Sequence, residues 1–146
     1  IAGADPRVAA IGLGIEDLAT ELEASPSADM LYPYAMLLVA AARGAGILPL
    51  GNIGAFADFS DLDAYRAGLR RSRRLGFACA ACIHPSGVPI INEEYGVSAE
   101  EADRARRLIA AFEAAVAKGQ AAVAFEGSMV DIPVVERARR LLARAR

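Results

Sequence analysis

The chain has 146 residues, which suits one domain, and a formal net charge of −2. Apolar residues make up 55% of it and charged residues 23%, which excludes a disordered tail and gives no overall attraction to nucleic acid. The richest apolar run, Met36 to Ala42, ends at Arg43, well short of the roughly 18 residues that span a bilayer. Asp5 and Arg7 break any signal-like core at the start, so the expected location is cytoplasmic, with no membrane and no nucleic-acid partner. The first residue is Ile1, not Met, and the chain therefore reads as a processed or shortened form of something longer.

Val8 to Leu13 reads as a buried strand of a parallel sheet, and Gly14 to Leu18 as a loop that leaves it carrying Glu16 and Asp17. Asp29 to Ala45 reads as a helix with Leu31, Ala35, Leu38 and Ala42 on one face, ended by Gly44 and Gly46. Ile47 to Ile53 is a second strand, interrupted in character by Pro49 and Gly51, and Gly54 to Phe59 a loop. Ser60-Asp61-Leu62-Asp63 is similar to a capping box and opens a helix to about Leu75, stopped at Gly76. Phe77 to Ile83 is a third strand, and Pro85 to Gly96 an irregular segment.

Ser98-Ala99-Glu100-Glu101 is a complete S-x-x-E capping box, and it starts a long helix to about Lys118 that Gly119 closes. A short strand from Ala121 to Phe125, a turn at Glu126-Gly127 and a last helix from Ile132 with Pro133 in its first turn complete the chain. Strands alternating with helices imply an α/β fold with a parallel sheet and crossover helices.

Cys79 and Cys82 have redox or half-zinc spacing, but they lie within an apolar, strand-like run, which favours two small packed residues. Basic charge is nearly all arginine, with Lys118 the sole lysine, and it gathers at 66–74, 104–107 and 137–146. Solvated helix faces account for such clusters; phosphate contacts are the other reading.

Three motifs in order carry a resemblance. They are Gly14-Ile15-Glu16-Asp17-Leu18, then Gly76-Phe77-Ala78-Cys79-Ala80-Ala81-Cys82-Ile83-His84-Pro85, then Gly127-Ser128-Met129-Val130-Asp131-Ile132-Pro133. Together they resemble the last half of the citrate lyase β-subunit-like and malyl-CoA lyase-like family of the HpcH/HpaI aldolase/citrate lyase superfamily. The resemblance implies the C-terminal half of a (β/α)8 TIM barrel, strands six to eight, plus a C-terminal helical lid extension. Residues 1–85 would be the partial barrel, and 86–146 the extension with a long helix, a short strand and a terminal helix. A whole barrel takes about 250 residues, so the missing strands would precede Ile1 or be replaced by self-association.

The implied activity is a Mg²⁺-dependent CoA-ester lyase that makes or breaks a carbon–carbon bond between an acyl-CoA and a 2-oxo acid, of malyl-CoA, citramalyl-CoA or citryl-CoA type. An acyl-CoA thioesterase of the same family and an inactive, self-associating fragment are the alternatives. The family's trimers and hexamers imply a homo-oligomer.

Asp17 matches the family's Mg²⁺-binding Asp; its partner Glu is expected upstream of this chain. Read without the resemblance, Asp17 is a cap or surface acid. Asp131 matches the lid Asp that reaches a neighbouring subunit's site as catalytic acid/base, yet it is also a good N-cap for the helix that follows. His84-Pro85 is similar to a rigid strand-to-loop connection of the family, with the histidine hydrogen-bonded in place. The chain departs from the common pattern where the family has Gly-Lys before Ile-His-Pro and Gln after it; here stand Cys79-Ala80 and Gly87.

Overall fold

In the computed structural model, which describes residues 1–53 and 61–145, the first strand shortens to β1, Ala10–Gly12. Helix α1, Ile15–Glu21, follows almost at once, where the sequence reads as loop. Helix α2, Ala28–Gly44, begins at Ser27, whose hydroxyl accepts from the Met30 N–H, and its buried residues are Leu31, Ala35, Leu38 and Ala42, as their spacing predicts. Strand β2, Leu48–Leu50, returns beside β1 in parallel, with Ala10 opposite Leu48 and Gly12 opposite Leu50. A strand, a crossover helix and a parallel strand form the β-α-β unit that the alternation implies.

Asp61 caps the next helix, α3, Leu62–Arg74, by accepting from the Ala64 N–H at 2.8 Å. Ser60 and the Gly54 to Phe59 loop lie outside the described residues. Gly76 ends the helix at φ +106°, a conformation that a residue with a side chain rarely takes. The expected third strand contracts to a single parallel bridge between Cys79 and Leu50. It is held by Ala78 N–H to Pro49 C=O and Gly51 N–H to Cys79 C=O, each 3.0 Å. The irregular segment beyond it contains a helix, α4, Gly87–Tyr95.

These elements form one compact unit, Ile1–Tyr95. Its core joins Ala35 and Leu38 of α2, Ile53, Leu69 of α3, Phe77, and Ile90 and Tyr95 of α4. Each large apolar side chain fully buried there contributes about 1.5–3 kcal/mol. Strand β1 is covered on one side only: Ile11 packs on this core, whereas Ala10 and Gly12 are exposed.

The second unit is Gly96–Arg146. Helix α5, Ala99–Val116, carries the full capping box: the Ser98 hydroxyl accepts from the Glu101 N–H at 3.0 Å, and the Ser98 N–H donates to the Glu101 carboxylate at 2.9 Å. Gly119 follows the helix at φ +77°. Strands β3, Val123–Phe125, and β4, Ser128–Val130, pair antiparallel through a two-residue turn. Glu126 and Gly127 both have positive φ, +46° and +78°, the geometry that matches the twist of a tight hairpin. Helix α6, Ile132–Leu142, packs Val135 and Ala138 against Ala105, Leu108 and Phe112 of α5. No helix among the described residues is long and apolar enough to cross a membrane.

Candidate functional site

In a parallel β/α arrangement, loops leaving the C-terminal ends of the strands carry the chemistry. Two such exits are present among the described residues of the first unit. The exit of β1 leads through Gly14 into α1, whose first turn holds Glu16 and Asp17, both exposed. Gly14 is the N-cap and offers no side chain to the first N–H groups of the helix. A Cβ built on Gly14 would lie 2.7 Å from the Asp17 Oδ2, so the absent side chain leaves the space that the carboxylate occupies.

The exit of β2 is Gly51-Asn52-Ile53. Asn52 is only 5% exposed, and its Oδ1 is buried with no hydrogen-bond partner among the described residues. The Tyr65 hydroxyl is buried and unpartnered on the same terms, and burial with the neighbouring Cys82 pushes its pKa up. Neither feature is visible in the sequence, because burial of these polar groups depends on residues distant in the chain. The one local signal is an asparagine placed between a strand's last apolar residues and a helix.

His84 lies beyond the Cys79 bridge and is exposed. Its Nδ1 is 2.8 Å from the Ser86 hydroxyl and accepts from the Ser86 N–H at 3.3 Å. This is the hydrogen-bonded connection the sequence suggests. Cys79 and Cys82 form no disulfide and are half-buried.

Asp131 belongs to the second unit. It is the N-cap of α6, half-buried, and its Oδ1 accepts from the Val134 N–H at 3.4 Å. That bond is long, and only one of the two carboxylate oxygens makes it. A groove beside Asp131 is lined by Met129, Ile132, Pro133, Arg137 and Arg140. Met129 is 73% exposed and Ile132 65%, an apolar pair standing in solvent next to a carboxylate.

The arginine clusters resolve into particular partners. On α3, Arg66 and Arg70 grip the buried Glu94 of α4 at 2.7 and 2.8 Å, and Arg66 also meets Glu93 at 2.7 Å. On α5, Arg104 and Arg107 hold Glu126 at 2.7 and 3.3 Å, with Arg104 also over the Phe125 ring. Arg139 joins Glu113 and Glu136. Among the described residues, no group of three or more His, Cys, Asp or Glu is placed to hold a metal ion.

Comparison with known proteins gives a consistent answer. No family model matches the chain. The L-malyl-CoA/beta-methylmalyl-CoA lyase of Cereibacter sphaeroides is 35% identical over 164 residues, covering 99% of this chain and 51% of the relative. Citrate lyase subunit beta of Escherichia coli is 34% identical over 147 residues, covering 99% of this chain and 48% of the relative. Among solved structures, CitE from Mycobacterium tuberculosis, in complex with magnesium, acetoacetate and coenzyme A, superposes with a TM-score of 0.78 at 35% identity, over 99% of this chain and 54% of that one. The chain thus spans about half the length of the curated relatives it matches. It belongs to the citrate lyase β-subunit-like and malyl-CoA lyase-like family.

Proposed function

We propose that this chain is the part of a Mg²⁺-dependent CoA-ester lyase that carries barrel strands six to eight and the lid that follows them. The reaction is reversible cleavage of a 3-hydroxyacyl-CoA into an acyl-CoA and a 2-oxo acid. The observation that carries the reading is the match over 99% of the chain to a malyl-CoA lyase, with Asp17 at a strand exit and Asp131 at the start of the last helix.

Asp17 and its surroundings suit a hard cation in chemistry. Mg²⁺ takes oxygen ligands, with one or two carboxylates, and waters and substrate oxygens completing its shell. An exposed carboxylate seated over a glycine offers one such oxygen without a steric rival. Glu16 lies beside it, and the second carboxylate is assigned to the strand ahead of Ile1, as the resemblance implies. When bound, the ion supplies a Lewis acid that polarises the carbonyl of the 2-oxo acid. Asp17 holds and orients; it moves no proton.

Asp131 is the proposed acid/base. Enolate chemistry at an acyl-CoA needs a group that takes and returns a proton at the α-carbon. The carboxylate oxygen of Asp131 not engaged with Val134 is free of the capping role, so the residue can keep its cap while the other oxygen moves a proton. Losing the cap would cost about 1 kcal/mol. Exposed Met129 and Ile132 on either side suit a surface that closes over a neighbouring subunit's substrate, which makes the working form a homo-oligomer. CoA is the proposed carrier of the acyl group.

The test is Mg²⁺ calorimetry on the intact protein and on Asp17→Asn. A carboxamide keeps the shape and removes the charge, so the variant should bind Mg²⁺ at least tenfold more weakly and lose malyl-CoA cleavage. Equal Mg²⁺ affinity in the two proteins would remove Asp17 from the site.

A further inference from the structure

Beyond the two acids, one side chain is built as though for a ligand. Asn52 stands at the C-terminal exit of β2, next to the β1 exit that leads to Asp17. The paired ends Gly12 and Leu50 are directly opposite, so both segments leave the same end of one parallel pair. The Asn52 side chain is buried, and its Oδ1 has no partner among the described residues. Leaving a buried amide oxygen unpaired is unfavourable, and natural structures tolerate few such groups.

The backbone on both sides keeps Asn52 from turning away. The Gly51 N–H donates to Cys79 C=O at 3.0 Å, and the Tyr95 hydroxyl donates to Gly51 C=O at 3.1 Å. The Ile53 N–H donates to the Ser72 hydroxyl at 2.7 Å, and that hydroxyl donates onward to Gly68 C=O at 2.7 Å. Gly51 has φ +147°, and a Cβ there would meet the Phe77 ring at 3.1 Å, so this position also requires glycine. Supporting contacts of this kind hold a binding group in place before its ligand arrives.

We propose that Asn52 is a substrate-binding residue whose Oδ1 accepts a hydrogen bond from the 3-hydroxyl of the hydroxyacyl-CoA. This rests on the lyase reading above. An amide oxygen can only accept, so its ligand must donate. At the reacting end of such a thioester the carbonyl and carboxylate oxygens are acceptors. The hydroxyl alone donates there. Asn52 therefore distinguishes the hydroxylated substrate from an otherwise identical acyl-CoA.

The test compares binding of malyl-CoA and succinyl-CoA, the same ester without the hydroxyl, to the intact protein and to Asn52→Leu, with Asn52→Ala as a second variant in case leucine does not fold. In the unmodified protein malyl-CoA should bind about three- to tenfold more tightly than succinyl-CoA, the range of one neutral hydrogen bond. In either variant that preference should disappear while succinyl-CoA affinity stays the same. The ligand-free melting temperature of Asn52→Leu should not fall, since the change removes an unpaired buried polar group. A preference that survives the substitution, or an equal loss for both esters, overturns the assignment. If the unmodified protein binds neither ester, the lyase reading itself fails, and the assignment of Asn52 falls with it.

Discussion

Glu94 gives the sharpest test of how the first unit is held together. It is 8% exposed, and it accepts from Arg66 Nη1 at 2.7 Å and Arg70 Nε at 2.8 Å, tying α4 to α3. A hydrogen bond to a charged group contributes about 1.5–3 kcal/mol. Arg66 keeps 30% of its side chain exposed and Arg70 58%, so both cations rehydrate once the carboxylate is gone. Solvent screening reduces the sum, and Glu94→Ala should destabilise the unit by about 2 kcal/mol. Burial pushes the Glu94 carboxyl up, but the hydrogen bonds and charge of Arg70 and Arg66 outweigh it and hold the group below its ordinary value. The contribution is therefore fully present above the unfolded value of about 4.3 and is lost as pH falls through the lower folded value. All four tyrosines lie in this unit, so tyrosine fluorescence during urea unfolding reports on it alone. Wild type should lose stability below about pH 4.3 more steeply than the alanine variant. Parallel pH curves, or a difference under about 0.5 kcal/mol at pH 7, would refute the clamp.

Other outcomes follow from single residues. Gly14→Ala places a Cβ against the Asp17 carboxylate and should weaken Mg²⁺ binding while leaving the urea midpoint nearly unchanged. Ser98→Ala removes half of the capping box and should cost α5 about 1 kcal/mol, read by helical circular dichroism during melting. Leu69→Ala empties a fully buried position and should cost about 2–5 kcal/mol by tyrosine-monitored unfolding. Asp131→Asn keeps an N-cap and should leave stability within about 0.5 kcal/mol while abolishing turnover, a split that separates capping from proton transfer.

Local chemistry accounts for what the sequence discloses and what it hides. The buried face of α2 and the Ser98 box are legible because their signals lie within a turn or two of the residues they act on. Helix α4 is hidden by Pro85, Gly87 and Pro89, which read as loop residues. Pro89 in fact sits in the first turn, where a helix has no use for its missing N–H. Strand β4 is hidden because Ser128-Met129-Val130 has no strand pattern of its own, and only the left-handed pair Glu126-Gly127 folds it onto β3. The third strand reduces to its bridge at Cys79, with Ile83 beyond it 71% exposed, so the apolar composition of that run overstates its burial. For the proposed site, Asp17 and Asp131 are nominated by their motifs alone. Asn52 is not, because its character comes from what surrounds it in space.

The most direct test of the central claim is the product balance of malyl-CoA turnover by the intact protein with Mg²⁺, alongside Asp17→Asn. Acetyl-CoA and glyoxylate should appear in equal amounts, both lost when Mg²⁺ is chelated and both lost in the variant. Free CoA released without a 2-oxo acid, or cleavage undiminished in Asp17→Asn, would contradict that claim.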